Sequence, residues 1–203
     1  MKVIVVTGVP GTGKTAIAKK LAKRLNYYYI DVNKLISKHN ISEGYDRERT
    51  TKIVDIKKLN RFLVSYIVFF KKNKIIDNAL MSKARSAKTL TKLNIKKLIN
   101  NKTSNKKLNQ KNKQKIKGLI IDSHLSHYLP KKYVDLCIIA KCDIKELNKR
   151  LKKRKYLKNK IQENLQAEIF DTCYDEAIKR KHKVIVINTT KGFNISSVAK
   201  QLG

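Results

Sequence analysis

Residues 2–15 read KVIVVTGVPGTGKT, and the reading of this stretch decides the fold. Lys2 to Thr7 is a β-branched run that meets a Gly/Pro cluster, the pattern of a buried parallel strand feeding a turn. Gly8 to Thr15 fits G-x-x-x-x-G-K-[ST]. Beyond it Ile17, Ala18, Leu21, Ala22 and Leu25 recur at helical spacing, and Asn26 supplies a stop. A strand, a glycine turn and a helix start in that order make a phosphate cradle. The glycines let successive backbone N–H groups converge on phosphate oxygens, and the helix N-terminus adds its positive end. Lys14 is expected to reach the β and γ phosphates of ATP, and Thr15 to face Mg²⁺.

Working outward, Tyr27 to Asp31 reads as a second strand. Residues 32–51 lack apolar periodicity and carry Gly44, which predicts a short helix followed by a loop. From Asp55 onward Leu59, Phe62, Leu63, Tyr66, Ile67 and Phe70 mark an amphipathic helix whose wide stripe should pack on the sheet. Leu119 to Asp122 forms an apolar strand ending in an acid, Val134 to Ala140 another, and Val184 to Ile187 the last. Helices are predicted at about Ile144 to Lys153, at Ile161 to Arg180 with Ile161, Leu165, Ile169, Cys173 and Ala177 on one face, and at Ile195 to Leu202. This alternation predicts an α/β fold of three layers, α/β/α, with a parallel sheet covered on both faces.

Residues 71–117 interrupt the alternation. They hold sixteen Lys or Arg, one acid (Asp77), eight Asn, and neither Gly nor Pro. This is a Lys-rich insertion, in which Leu90 to Ile99 can form helix while residues 100–117 have too little apolar content to order themselves.

At 203 residues, with 41% hydrophobic and 31% charged, the chain reads as one folded domain spanning 1–203. Its 48 Lys and Arg against 15 Asp and Glu give a net charge of +33, a field that attracts polyanions and predicts RNA contact through a basic surface. A/T-rich coding, which favours Lys, Asn and Ile, is the plain alternative. Cys137, Cys142 and Cys173 show neither a C-x-x-C pair nor a disulfide framework and read as reduced thiols. The apolar run from Val3 to Val6 ends too early for a signal-peptide core, and no other stretch approaches membrane-spanning length. A cytoplasmic protein without membrane contact is expected.

Beyond the cradle, Asp122 stands at a strand end, where P-loop proteins hold Mg²⁺ through an acid. The plain alternative is an Asp that caps the next turn. Asp122-Ser123-His124, followed by His127, brings two imidazoles beside the phosphate site. No third ligand stands at metal spacing, so zinc is not expected, and His124 is a candidate to orient water or phosphate. Arginine is scarce, eight against forty lysines, and Arg150 and Arg154 lie four apart on one predicted helix. Their planar forks suit phosphate, although a solvated face with Lys149, Lys152, Lys153 and Lys155 is the alternative.

The P-loop, Asp31-Val32 after the second strand, Gly44-Tyr45-Asp46, Asp122-Ser123-His124 with Tyr128-Leu129-Pro130, and the run from Ile161 to Ile169 (IQENLQAEI) fall in one order. Together they resemble the archaeal and eukaryotic adenylate-kinase-like ATPases of small-ribosomal-subunit biogenesis, over all of the chain except 71–117. The resemblance implies broad-specificity nucleoside monophosphate kinase activity on AMP or another monophosphate, with a separate ATPase activity. It also implies a role in late 16S rRNA maturation through transient contact with a small-subunit ribosomal protein and the pre-30S particle. Gly11, Gly13, Lys14, Thr15 and Ala16 would bind ATP. Residues 31–54 would be the monophosphate-binding segment and 153–163 the lid, with Arg154 on the triphosphate. Asp122 and His124 would match the Mg²⁺ and hydrolysis motif. Lys155 stands where the family often has Gly after the lid Arg, which implies a stiffer hinge. Two other readings stay open: a nucleotide-gated assembly ATPase with negligible kinase activity, and a plain RNA-binding protein.

Overall fold

Strand residues alternate sides, so an apolar run such as Val3 to Val6 has to be covered twice. In the computed structural model, which describes residues 1–47, 51–72, 75–77 and 113–201, both covers are present. The strands β1 (Lys2–Thr7), β2 (Tyr28–Asp31), β7 (Gly118–Asp122), β8 (Leu136–Lys141) and β9 (Val184–Asn188) form one sheet in the order β2-β7-β1-β8-β9. Every pairing in it is parallel. One face, Ile4, Val6, Ile120 and Ile138, packs on Ile17, Ala18 and Leu21 of α1 (Lys14–Leu25) and on Val198 of α7 (Ile195–Lys200). The other face, Val3, Val5, Leu119 and Ile139, packs on α3 (Ile56–Lys72). The expected α/β/α layering is what the chain forms.

The α3 stripe is the main anchor of that second face. Leu59, Leu63, Ile67 and Phe70 are all fully buried, a gross gain of about 6–12 kcal/mol at roughly 1.5–3 kcal/mol per side chain before conformational entropy is subtracted. At the end of α1, Asn26 takes the left-handed conformation (φ 54°), as a stop residue there should.

Two expectations are corrected. The short helix expected within residues 32–51 forms as α2 (Val32–Lys38), but in place of the expected loop stands an antiparallel hairpin of β3 (Ser42–Asp46) and β4 (Thr51–Val54). The predicted helix from Ile161 to Arg180 is two helices, α5 (Lys158–Ile169) and α6 (Thr172–Lys179), broken at Asp171, whose φ is 51°. Ile169 is therefore 59% exposed instead of continuing the stripe. α3 runs to Lys72, and a short ladder of β5 (Ile75–Asp77) with β6 (Lys113–Lys115) pairs Asp77 with Lys113, inside the span read as an insertion. The helix expected at Leu90 to Ile99 lies outside the described residues. Among the described residues, no helix is long and apolar enough to cross a membrane.

Candidate active site

The site forms at the carboxyl ends of β1 and β7, where open parallel sheets present their loops to a ligand. The β1–β7 register sets Val6 beside Asp122, so the P-loop and the Asp-Ser-His segment leave the sheet together. Gly8 has φ 139°, and a Cβ there would meet the Ala140 carbonyl oxygen at 2.5 Å, so only glycine fits. Gly13, at φ 87°, caps α1, and its carbonyl accepts from the N–H groups of Ala16 at 3.0 Å and Ile17 at 3.2 Å. The Ala16 amide is thus used within the first turn. Lys14 and Thr15 open the helix, where backbone N–H groups have no partner within the helix.

The loop is braced from below. Thr12 is fully buried, and its hydroxyl donates to the Val9 carbonyl at 2.8 Å. The Thr189 hydroxyl, just past β9, donates to the Thr12 carbonyl at 2.7 Å. Arg150 on α4 (Ile144–Lys153) donates to the Thr189 carbonyl at 2.9 Å and the Thr190 carbonyl at 3.3 Å, and pairs with Glu146 at 2.9 Å. Sequence spacing put Arg150 and Arg154 on one phosphate-facing surface, and the structure separates them. Arg150 is spent on the brace. Arg154, the C-cap of α4, lines the cavity over the P-loop. The next residue, Lys155, takes φ 58°, a left-handed conformation that glycine adopts more easily and that turns the chain from α4 into α5.

The cavity over the P-loop, about 380 Å³, is lined by Lys14, Thr15, His124, Arg154, Tyr156 and Asn164 among others. A second cavity of about 540 Å³ lies beneath the hairpin, lined by Ile36, Ser37, Tyr45, Lys52, Val54 and Leu125. Asn33, Thr51, His124 and Lys160 line both. Asn33 and Thr51 from one segment and Arg154, Tyr156 and Lys160 from the other thus line one cavity over the P-loop. Of the two segments, sequence reasoning named only Arg154 for the site. Lys160, whose Nζ bonds Glu163 at 3.1 Å, was missed because one more lysine carries no signal in a chain with forty.

Electrostatics sharpen the site. Burial pulls the Lys14 pKa below its ordinary value, with the Asp122 charge opposing. Burial, then the Lys14, His127 and Lys160 charges, lowers His124 to about 4, so its imidazole is neutral at pH 7. His127 is not a site residue but a buried strut: its Nδ1 lies 2.8 Å from the Thr7 hydroxyl and its Nε2 2.7 Å from Glu176 on α6. Thr7 in turn donates to the His124 carbonyl at 3.2 Å.

The residues present fit a divalent cation. Asp122 is 4% exposed, and its Oδ2 accepts from the Tyr29 hydroxyl at 2.8 Å. Its Oδ1 is buried with no hydrogen-bond partner among the described residues, an arrangement that costs free energy unless something binds there. A hard cation prefers such carboxylate and hydroxyl oxygens, and the exposed Thr15 supplies the hydroxyl.

Comparison with known proteins agrees with this geometry. The AAA domain family matches residues 4–78 and 69–171. The protein named "Putative adenylate kinase" in Methanosarcina mazei is 33% identical over 184 residues, spanning 91% of this chain and 76% of that one. Its namesake in Methanocaldococcus jannaschii is 29% identical over 187 residues, 92% and 76% of the two chains. The "Adenylate kinase isoenzyme 6 homolog" of Dictyostelium discoideum is 27% identical over 186 residues, 91% and 78%. With this match over most of its length, the chain belongs to the AAA domain family, and the proteins it is similar to include two named "Putative adenylate kinase".

Proposed function

We propose that this protein is a nucleotide kinase that moves the γ-phosphoryl group of ATP onto AMP or another nucleoside monophosphate, and that it hydrolyses ATP slowly when no acceptor is bound. The observation that carries this reading is the pair of adjoining cavities with shared walls at Asn33, Thr51, His124 and Lys160. A hydrolase needs one nucleotide pocket, whereas a phosphoryl transferase needs two that meet where the phosphorus changes hands.

In this reading the P-loop amides and Lys14 hold the β and γ phosphates. An oxygen of the acceptor phosphate attacks the γ-phosphorus, the bond to the β–γ bridging oxygen breaks, and two diphosphates leave. Lys14, Arg154 and Lys160 surround that path with positive charge, which stabilises the spreading negative charge of the transition state. The neutral His124, on the wall between the cavities, can accept a hydrogen bond from water or an acceptor hydroxyl. Asp122 and Thr15 would hold Mg²⁺, which supplies charge neutralisation on the phosphate oxygens when bound. The test is ATP turnover with and without AMP. ADP formation that rises many-fold with AMP supports the kinase; turnover indifferent to AMP and to other monophosphates leaves a nucleotide-gated ATPase.

The wider context we propose is the cytoplasm, with transient binding to a small-subunit ribosomal protein on the pre-30S particle during 16S rRNA maturation. Support comes from the resemblance at Asp122, His124 and Gln162 to Ile169, and from the +33 charge, which suits RNA. A pull-down at raised salt comparing ATP, ADP and no nucleotide, with wild type and His124→Ala, checks it. Retention that depends on nucleotide supports a gated contact; equal retention throughout leaves only salt-sensitive RNA affinity.

A further inference from the structure

Tyr29 was not marked by its sequence as part of any site, yet its hydroxyl donates a hydrogen bond to the Asp122 carboxylate. Its place on β2 explains how. In the β2–β7 register Tyr29 stands opposite Ile120 and Asp31 opposite Asp122, so its phenol has to reach two residues, about 6.6 Å of strand rise, to touch the carboxylate. The ring packs on the α1 face of the sheet, where a phenylalanine would serve as well. The hydroxyl is the additional feature, and it is spent on Oδ2.

We propose that Tyr29 is a positioning residue that presents Asp122 to the nucleotide's divalent cation through Oδ1 alone. The bond at 2.8 Å engages Oδ2 and leaves Oδ1, buried and without a hydrogen-bond partner among the described residues, with both lone pairs unused. Without that bond the carboxylate is free to turn about its own side-chain torsions, and Oδ1 no longer keeps one direction. Partners that orient metal ligands in this way typically change metal affinity by about 10–100-fold when removed.

The inference rests on the kinase reading only in taking Asp122 as the acid that faces the nucleotide's cation. Mn²⁺ is titrated into the ADP complex, with protein in excess over ADP, and the EPR signal of the protein-bound ion is followed. Four proteins are compared: wild type, Tyr29→Phe, Asp122→Asn and the double variant. Tyr29→Phe should bind Mn²⁺ about tenfold more weakly and Asp122→Asn at least as weakly, with the double variant no weaker than Asp122→Asn. ADP affinity in EDTA should be unchanged by Tyr29→Phe, while the lost hydrogen bond to a buried carboxylate should lower its melting temperature by several degrees. Wild-type Mn²⁺ affinity in Tyr29→Phe, or additive losses in the double variant, would overturn the role of Tyr29. An Asp122→Asn protein that binds Mn²⁺ normally would overturn the inference through its premise, while AMP-stimulated turnover of the wild type judges the kinase reading separately.

Discussion

Replacing Lys14 with Met shortens the side chain by one atom and removes its charge, and the structure predicts that function and stability then part company. Lys14 is half-buried. Its loss of water is the largest influence on its pKa, which falls below 10.5 even though Asp122 and Glu168 pull the other way. A lysine with a lower pKa in the folded than in the unfolded chain costs stability at neutral pH, a cost that disappears as pH rises through the folded value toward 10.5. Methionine carries no such cost. Lys14→Met should therefore melt at or above the wild-type temperature, each kcal/mol relieved adding about 2–4 °C in a chain of this size. Turnover should fall about 10²–10³-fold, the loss of about 2.7–4 kcal/mol typical when one preorganised contact to developing charge is removed. Differential scanning fluorimetry and ADP formation with AMP present measure the two effects. Wild-type turnover would refute the P-loop assignment, and a melting point several degrees lower would refute the charge argument.

The two arginines of α4 should behave differently: Arg150→Ala loses about 2 kcal/mol of stability with its charged hydrogen bonds, measured by urea unfolding, whereas Arg154→Ala keeps stability and loses turnover more than ATP affinity. Since His124 has its pKa at about 4 in the fold and near 6.5 when unfolded, the unfolded chain takes up the proton first as pH falls, and stability drops between those values. His124→Gln should flatten that drop in urea titrations at pH 7 and 4.5, leaving the part owed to His127 and His182, which are shifted the same way; an unchanged drop would show that His124 is not buried as described. Removing residues 78–112 and closing Asp77 to Lys113 with a two-residue turn should preserve ATP turnover and weaken RNA binding in filter assays, because the excised stretch holds ten of the 48 basic residues. Loss of turnover in a folded deletion protein would place the insertion in the active site.

How far the sequence could be read follows from what each element buries. The three central sheet strands, β1, β7 and β8, are inside on both faces, so they appear as apolar runs, and the α3 stripe shows because its whole face is covered. The β3–β4 hairpin buries almost nothing, with Tyr45 57% and Ile53 51% exposed, and so leaves no alternating pattern to find. The break at Asp171 was hidden because Ile161, Leu165, Ile169, Cys173 and Ala177 keep helical spacing straight through it, although a left-handed residue turns the chain there. At the site, the P-loop spacing names its own residues. Tyr29 could not be found that way, because its role depends on a cross-strand register between residues 93 apart. Arg150 was misread for a related reason: spacing shows that two side chains share a helix face, but not that one of them meets backbone carbonyls from residues 189 and 190.

The position of β1 in the middle of the sheet also constrains how the molecule comes into being. It is made before the other four strands of its sheet, yet Val5 waits for Ile121 on one side and Cys137 on the other. Until more than a hundred further residues have been translated, the most apolar segment of the chain has no sheet to join, and Thr12 lacks its clasp until Thr189 has been added near the end. Pairings so distant in sequence slow folding and expose edges that invite aggregation on the way. A nascent chain halted before β9 should therefore carry the complete phosphate-binding sequence and still be unable to grip a nucleotide.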